Sequence, residues 1–476
     1  MNKIYNNSIV WLRRDIRLHD HAALHFALKY SKNVYCIFIF DNFILNDLND
    51  KEDRRIEFIW ESIHEIRDTL NKLGSDIVVR HGNPLKTILS LIKEYSIEAL
   101  FLNKDYEKYA IDRDNEVAKN LKKINIDLMQ YKDLVLYEEL EILTQSQKPY
   151  TVFSPYRNNH LKRLNIDGIT EYECETKKDN FAKFKDQNML SIEDLGFQRT
   201  NLKDLNIPTG SLGGKKLLNN FVDRIDNYKS LRNYPAKKGV SYLSVHNRFG
   251  TISIREQALI AIKKNTEGAM VWLNELIWRD FYFQILSNFS YVCNNKSFKP
   301  QFEELKFENN TSFFDAWKNG KTGFPIIDAA MCQLNQTGYM HNRLRMIVAS
   351  FLVKDLLIDW RWGESYFAEK LIDFDFSANN GGWQWAASTG CDAQPWFRIF
   401  NPLLQSEKFD PEGNFIKKYL PSLKGLSKKE IHCPLKFYEK NSDHFPITFG
   451  VDYPYPIVDH ATQRAKALKI YENAGK

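Results

Sequence analysis

At 476 residues the chain exceeds one ordinary core and implies two or three domains. Its composition, 43% hydrophobic and 26% charged with no low-complexity tract, excludes a disordered or fibrous protein. Lys plus Arg 66 against Asp plus Glu 60 leaves a net charge of only +6, so a basic nucleic-acid face would have to be local.

Charges interrupt every apolar run before bilayer length, so no membrane span is expected. The N-terminal MNKIYNNSIVWLRRD lacks the apolar centre of a secretory leader. Six scattered cysteines, with no CxxC and no metal-ligand spacing, read as reduced thiols. A cytoplasmic protein is expected.

Short β-branched runs at 8–12, 34–40, 76–80, 99–103 and 127–130 predict buried strands. Amphipathic stretches at 20–30, 53–73, 84–95 and 111–124 predict helices between them. This alternation predicts an α/β domain over 1–135 with a parallel five-stranded, Rossmann-like sheet. No GxGxxG follows the first strand, so ordinary dinucleotide binding there has little support.

Residues 136–205 are polar and patternless and predict an interdomain linker. GSLGGKK at 210–216 lacks phosphate-loop spacing, and no strand precedes it, so it reads as a domain-start loop. From 206 to 476 the pattern is mainly α-helical, with 3.6-period apolar faces at 217–228, 254–264, 272–287, 325–333, 342–357 and 363–371.

Of ten tryptophans, only Trp11 and Trp60 precede residue 272. Either a large aromatic core or a ring cluster around a stacked cofactor accounts for this. Eleven histidines include no HExxH and no paired metal spacing, so no metal site is expected, and no GxSxG elbow appears.

Three helical-domain segments carry unusual chemistry. In WLNELIWRDFY (272–282), Glu275, Trp278, Arg279 and Tyr282 share a face; Arg279 could simply neutralise Glu275, so structural and functional readings both stand. In TGYMHNRLRMIVASFLVKDLLIDW (337–360), Asn342, Arg343, Arg345 and Met346 crowd the entry of an otherwise apolar helix and suit an anionic ligand. In LIDFDFSANNGGWQWAASTG (371–390), the aspartates, asparagines and Trp-Gln-Trp exceed what packing needs, and Gly381 and Gly382 would allow tight turns or close backbone approach.

These segments closely resemble the FAD domain of the photolyase/cryptochrome family, class I cyclobutane-dimer photolyases in particular. The resemblance extends to WLRRDIRLHD (11–20), VFSPYRNNHLKRL (152–164), GKTGFPIIDAAMCQL (320–334) and RIFNPLLQSEKFDPEGNFIKKYLP (398–421).

The resemblance implies one FAD, with Tyr228, Ser241, Leu243 and Ser244 near its phosphates. Trp272, Arg279, Asn342, Arg345, Asp373, Asp375 and Asn379 would complete the cofactor site, and Asn379 would face flavin N5. Val240 stands where relatives often carry Thr, which removes one phosphate contact. For UV-damaged DNA it implies Trp278 and Trp385 flanking a flipped dimer, and Glu275 on a pyrimidine carbonyl. Asn342 and Met346 would complete the pocket, Arg343 would hold the backbone, and Arg279, Tyr282 and Gln405 would also contact DNA. The implied reaction is light-driven electron transfer from reduced FAD into the dimer, ring splitting and electron return, with Glu275, Asn342, Met346 and Asn379 taking part. HNRLRM places His341 before the motif and none within it, unlike six-four photolyases, so cyclobutane dimers are favoured.

Photoreduction in the family passes along three tryptophans. Trp383 and Trp360 match the first two, but Phe307 stands third; slower photoreduction, or a detour through Trp317, Trp362 or a nearby tyrosine, is expected. Glu107 and Cys293 partly match an antenna site for methenyltetrahydrofolate, while Asn49 and Asn294 depart from it, so folate is preferred only on partial grounds to a deazaflavin or to no antenna. The alternatives are a cryptochrome-type photoreceptor and a six-four photolyase. A short helix-like C-terminal segment, 459–471, and Asn379 favour repair by a monomer over signalling.

Overall fold

The computed structural model describes residues 4–186 and 188–474; the ends of the expected domains, 1–3 and 475–476, and position 187 of the expected linker lie outside the described residues. The chain groups into two compact units. The first comprises Met1–Asp226 and Ser241–Asn288, the second Asn227–Val240 and Phe289–Lys476. Residues 136–205 and 241–288 thus fall with the sheet, and the expected boundaries at 135 and 205 do not coincide with this division.

The first unit opens with β1 (Tyr5–Leu12), α1 (Ala22–Tyr30), β2 (Ser31–Asp41), α2 (Asn42–Asn46), α3 (Arg54–Asn71), β3 (Ile77–Gly82), α4 (Pro84–Glu94), β4 (Ala99–Asn103), α5 (Lys108–Lys123) and β5 (Asp127–Tyr131). The strands pair in parallel in the order β3-β2-β1-β4-β5, with Ile9 opposite Tyr35 on one side and Leu100 on the other. Apolar runs such as ALFLN fit because helices cover both faces of such a sheet. Ile9, Trp11, Ile37, Ile39, Val78, Leu100 and Leu102 form its core. Asp53 caps α3, and Asn83 followed by Pro84 starts α4, so local signals agree with the register. Strand order reverses at β1, so the loops after β1 and β4 mark the switch point where such sheets bind ligands.

Next come α6 (Phe153–Asp167), α7 (Gly210–Val222), α8 (Tyr228–Leu231), α9 (Ser244–Phe249), α10 (Ile254–Lys264) and α11 (Glu267–Asn288), of which α8 belongs to the second unit. Two expectations are corrected here. The interval read as patternless contains α6, whose buried stripe is Phe153, Tyr156, His160 and Leu164. GSLGGKK is not a loop but the start of α7; a Cβ on Gly213 would lie 2.7 Å from the Pro208 carbonyl carbon, and one on Gly214 3.0 Å from His246 Nδ1. Close packing explains those glycines.

The second unit continues with α12 (Thr311–Lys318), α13 (Pro325–Thr337), α14 (Asn342–Ser350), α15 (Trp360–Lys370), α16 (Phe376–Ala386), α17 (Pro402–Phe409), α18 (Asn414–Tyr419), α19 (Pro434–Tyr438) and α20 (His460–Ala474). Its core gathers Trp317, Ile327, Leu344, Val348, Phe351, Trp360, Phe367 and Trp383. The single helix expected over 342–357 stops at Ser350 and widens into a π-type turn at Phe351–Asp355. Every residue from Phe351 to Ile358 is buried, so periodicity could not register the change. Gly381 and Gly382, read as allowing tight turns or close backbone approach, lie inside α16 and make no turn.

Candidate functional site

The two units contribute separate groups of the expected site residues. In the first unit, α11 carries Trp272, Glu275, Trp278, Arg279 and Tyr282. Leu276, Ile277, Asp280 and Phe281 are buried, so Glu275, Trp278, Arg279 and Tyr282 form the partly exposed side. The Trp278 indole stacks on Phe153 of α6 at 3.6 Å with planes 9° apart, and Tyr282 lies 5.5 Å away. Asp280, on the opposite side, anchors that arrangement by accepting from the Leu136 N–H at 2.8 Å and facing His160 Nε2 at 3.3 Å. Arg279 donates to the carbonyl oxygens of Leu134 and Asn247, lies 4.8 Å over Phe283 and lines a small cavity with Arg17, Asp133 and Asn247. Trp272 is buried edge-on against Phe221. Ser241, Leu243 and Ser244 lead into α9, where the left-handed Tyr242 turns the chain.

In the second unit, α14 starts at Asn342, which is exposed, while Arg343, Arg345 and Met346 are half-buried. Arg345 donates from Nη2 to Asp373 Oδ2 at 2.7 Å and from Nε to the Met340 carbonyl at 2.8 Å. The second oxygen of Asp373, Oδ1, is buried and has no protein partner. Arg343 donates to Asn233 Oδ1 at 2.8 Å and lies 4.5 Å over Phe409 of α17, the helix that also carries half-buried Gln405. Burial, then the guanidiniums of Arg345, Arg343 and Arg232, push the His341 imidazole down to about 4. It therefore stays neutral at physiological pH and caps α14 through Nδ1. A cluster of cations around a helix entry is suited to phosphate oxygens.

Asp375 caps α16, accepting from the Ser377 N–H at 3.1 Å and its hydroxyl at 2.6 Å. Asn379 donates its amide N–H to the Glu364 carbonyl at 3.1 Å, which leaves Oδ1 as an acceptor. Asn380 donates to Glu364 Oε1 at 3.0 Å and accepts from Gln384 at 2.9 Å. Burial pushes the Glu364 carboxyl up to about 6. This support beneath Asn379 was not foreseen; its one trace in the sequence is a Glu four residues after Trp360. Helical spacing places Ala378, Asn379, Gly382 and Trp385 on one side of α16, and a Cβ on Gly382 would meet nothing within 4 Å. That bare face can accept a flat ring. Tyr228, at the start of α8, is buried under Arg232 at 5.3 Å, and Trp385 faces Phe400 at 6.4 Å.

Residues 8–177 match the family model of DNA photolyase, and residues 272–473 match that of the FAD binding domain of DNA photolyase. The deoxyribodipyrimidine photo-lyase of Escherichia coli strain K12 is 37% identical over 98% of this chain and 99% of its own length. The chain belongs to the DNA photolyase family. Among solved structures, a bacterial class III photolyase from Agrobacterium tumefaciens superposes with a TM-score of 0.89 at 30% identity, covering 100% of this chain and 98% of its own. A Synechocystis cryptochrome gives 0.85 at 26% identity over 99% and 100%. The chain therefore carries a photolyase-type FAD-binding domain, and the orphaned Asp373 oxygen, the Arg345 pair and the bare α16 face fit a flavin. Among the described residues no cluster has metal-ligand geometry, and no helix is long and apolar enough to cross a membrane.

Proposed function

We propose that this protein is a deoxyribodipyrimidine photolyase that uses light and one bound FAD to split cyclobutane pyrimidine dimers in DNA. The observation that carries the reading is its 37% identity to the Escherichia coli photo-lyase over nearly the whole of both chains. When bound, FAD supplies light absorption and a one-electron donor.

The chain's residues bind and orient. Tyr228, Ser241, Leu243 and Ser244 serve the cofactor phosphates, with Trp272, Arg279, Asn342 and Asp375 completing the cradle. Arg345 holds Asp373 so that the free carboxylate oxygen accepts a ring N–H, and Asn379 offers Oδ1 to flavin N5 without adding charge. Trp278 and Trp385 flank the flipped dimer. Glu275 hydrogen-bonds a pyrimidine carbonyl, whose oxygen accepts, while Asn342 and Met346 close the pocket. Arg343, Arg279, Tyr282 and Gln405 contact the strand, so binding weakens as salt rises.

The antenna is assigned to methenyltetrahydrofolate rather than a deazaflavin. Glu107 Oε1 takes Arg14 and Arg248 at 2.7 and 2.8 Å, and Oε2 is the acceptor for the pterin. The cysteines form no disulfide among the described residues, which suits a reducing cytoplasm, and the enzyme is taken to act as a monomer.

The structural likeness to a cryptochrome favours a second reading, a blue-light receptor that signals through partners. Repair of a thymine dimer in a defined oligonucleotide, with chemically reduced protein in light and in the dark, separates the two. Light-only recovery of thymine absorbance is the expected result. Bound, reduced FAD without repair would overturn it and leave six-four lesions or signalling.

A further inference from the structure

The tryptophan route expected from the family ends here on Phe307, a half-buried ring that is hard to oxidise. The ring contacts of the second unit lead elsewhere. Trp383 lies 6.1 Å from Trp317 at 69°. Trp317 in turn lies 5.8 Å from Tyr366 at 64°, and Tyr366 is half-buried on α15. Trp362 is reached from Trp317 only across Phe314, at 5.9 and then 5.2 Å, which again puts a phenylalanine in the path.

Local hydrogen bonding favours the same direction. The Arg361 guanidinium sits 4.9 Å over Trp360 but is neutralised by Glu303 and Asp359, each at 3.0 Å, and does not select for or against that ring. Trp317 instead donates its indole N–H to the Val348 carbonyl at 3.2 Å, an acceptor that stabilises an oxidised indole. Tyr366 donates its hydroxyl to Asn335 Oδ1 at 2.6 Å.

We propose that Trp383, Trp317 and Tyr366 form the photoreduction route of this chain, in place of one ending at residue 307. The proposal rests on the FAD assignment above. Trp383 gives one electron to the photoexcited oxidised flavin, Trp317 refills Trp383, and Tyr366 refills Trp317. The Tyr366 hydroxyl proton is lost to solvent, which the half-buried ring reaches, as the phenol is oxidised. A thiol in solution then returns one electron and one proton to the tyrosyl radical and becomes a thiyl radical. Trp317 and Tyr366 are relay residues and need not touch substrate.

The test is transient absorption of flavin-loaded protein after a blue flash, with flavin content and light-dependent repair by reduced enzyme measured first. Wild type should give a long-lived tyrosyl radical, and the Trp360→Phe protein should keep it. Tyr366→Phe, which preserves the ring packing, should lose the tyrosyl signal and leave a tryptophan-type radical that recombines sooner. Trp317→Phe should lose both long-lived signals and photoreduce in thiol no faster than Trp383→Phe. A tyrosyl radical that survives Trp317→Phe, or disappears in Trp360→Phe, would overturn the route while leaving the repair reading intact. Wild type that repairs dimers without forming a tyrosyl radical would do the same. Wild type that retains no flavin would overturn the FAD assignment and this route together.

Discussion

In the first unit, Arg17, Arg255, Asp20 and Asp133 are buried together, and both guanidiniums end on carboxylates. Arg17 reaches Asp133 at 2.6 Å, while Arg255 reaches Asp133 at 2.7 Å and Asp20 at 2.9 Å. In the second unit, Asp328, Asp355, Glu364 and Lys354 are as deep, but their partners are mostly neutral. Asp328 takes Thr322, Gly323 and Tyr453; Glu364 takes Asn380; Lys354 donates to Ser388 and the Trp396 carbonyl. Asp355 faces an imidazole, His460, at 2.5 Å.

The ionisation of these groups follows from that difference. Burial alone would push the Asp133 carboxyl up, but Arg17 and Arg255 outweigh it and hold it far below the ordinary range. Burial pushes Asp328, Asp355 and Glu364 up to about 6, and pushes the Lys354 ammonium well down. One unit keeps its buried charges by pairing them. The other lets them approach neutrality, which makes it responsive to pH.

The largest test is Asp133→Asn. It leaves two buried guanidiniums short of a counter-charge, and removing one partner of such a group costs about 3–5 kcal/mol. Urea unfolding, followed by proteolytic cleavage within the first unit, should show a loss of that order. A loss below about 1 kcal/mol would mean the pairing is not what sustains this unit.

Arg345→Gln applies the same operation to Asp373, a buried carboxylate of the second unit that is paired with arginine. Asp373 would lose its cation and the flavin its oriented acceptor, at about 2 kcal/mol for a charge-assisted bond. Fluorescence titration of the stripped protein should show FAD binding roughly thirtyfold weaker. Unchanged affinity would detach Asp373 from the cofactor.

The pH prediction takes the two units in opposite directions. Carboxyls raised to about 6 contribute most stability below their unfolded values and lose it as pH rises through 6, so Asp328, Asp355 and Glu364 strengthen the second unit between pH 7 and 5. His341, lowered to about 4, works against them, because the unfolded chain takes up its proton from about pH 6.5 downward. Three groups against one leave a net gain on the order of 1 kcal/mol. In the first unit, His246, pushed down to about 4 by burial, weakens the fold over the same interval. Asp133 and Asp15, both held low, withdraw their contribution only as pH falls below their ordinary range. Urea midpoints at pH 7 and 5, read separately by cleavage within each unit, should therefore diverge; parallel shifts would contradict the contrast.

The same difference governs what could be read from sequence. Strands of the first unit are short apolar runs between polar breaks, and all five expected strands are present. Helix α10 appears at the expected 254–264 because its apolar spacing is regular and Ser253 caps it. Helix α6 escaped because its stripe includes Tyr156 and His160, which a hydrophobicity pattern discounts. The glycines of α7 mimicked a loop because the contact of Gly214 with His246 depends on a residue far along the chain from the local pattern. In the second unit the candidate residues were legible through family motifs rather than spacing. Their supports were not: the Glu364 carbonyl under Asn379 and the Arg232–Arg343–Arg345 cluster around His341 arise from tertiary packing.

Lys354→Met should give the smallest effect and is the sharpest test of the contrast. The Lys354 amine is fully buried, lies 3.4 Å over the Tyr471 ring and has no carboxylate bonded to it. Because burial already favours the neutral amine, the folded state holds little charge there to lose. Methionine matches the stem and fills the space over Tyr471, so what disappears is two modest bonds, to Ser388 at 3.2 Å and Trp396 at 3.4 Å. A volume-conserving exchange of this kind usually costs under about 1.5 kcal/mol, and removing the amine's burial penalty offsets part of that. The urea midpoint at pH 7 should move little or rise, and it should lose part of its alkaline gain, since a lysine with a lowered folded value contributes more stability as pH climbs toward its unfolded value. A destabilisation as large as that of Asp133→Asn would show that Lys354 is charged and paired in the folded protein, and the two units would then bury charge alike.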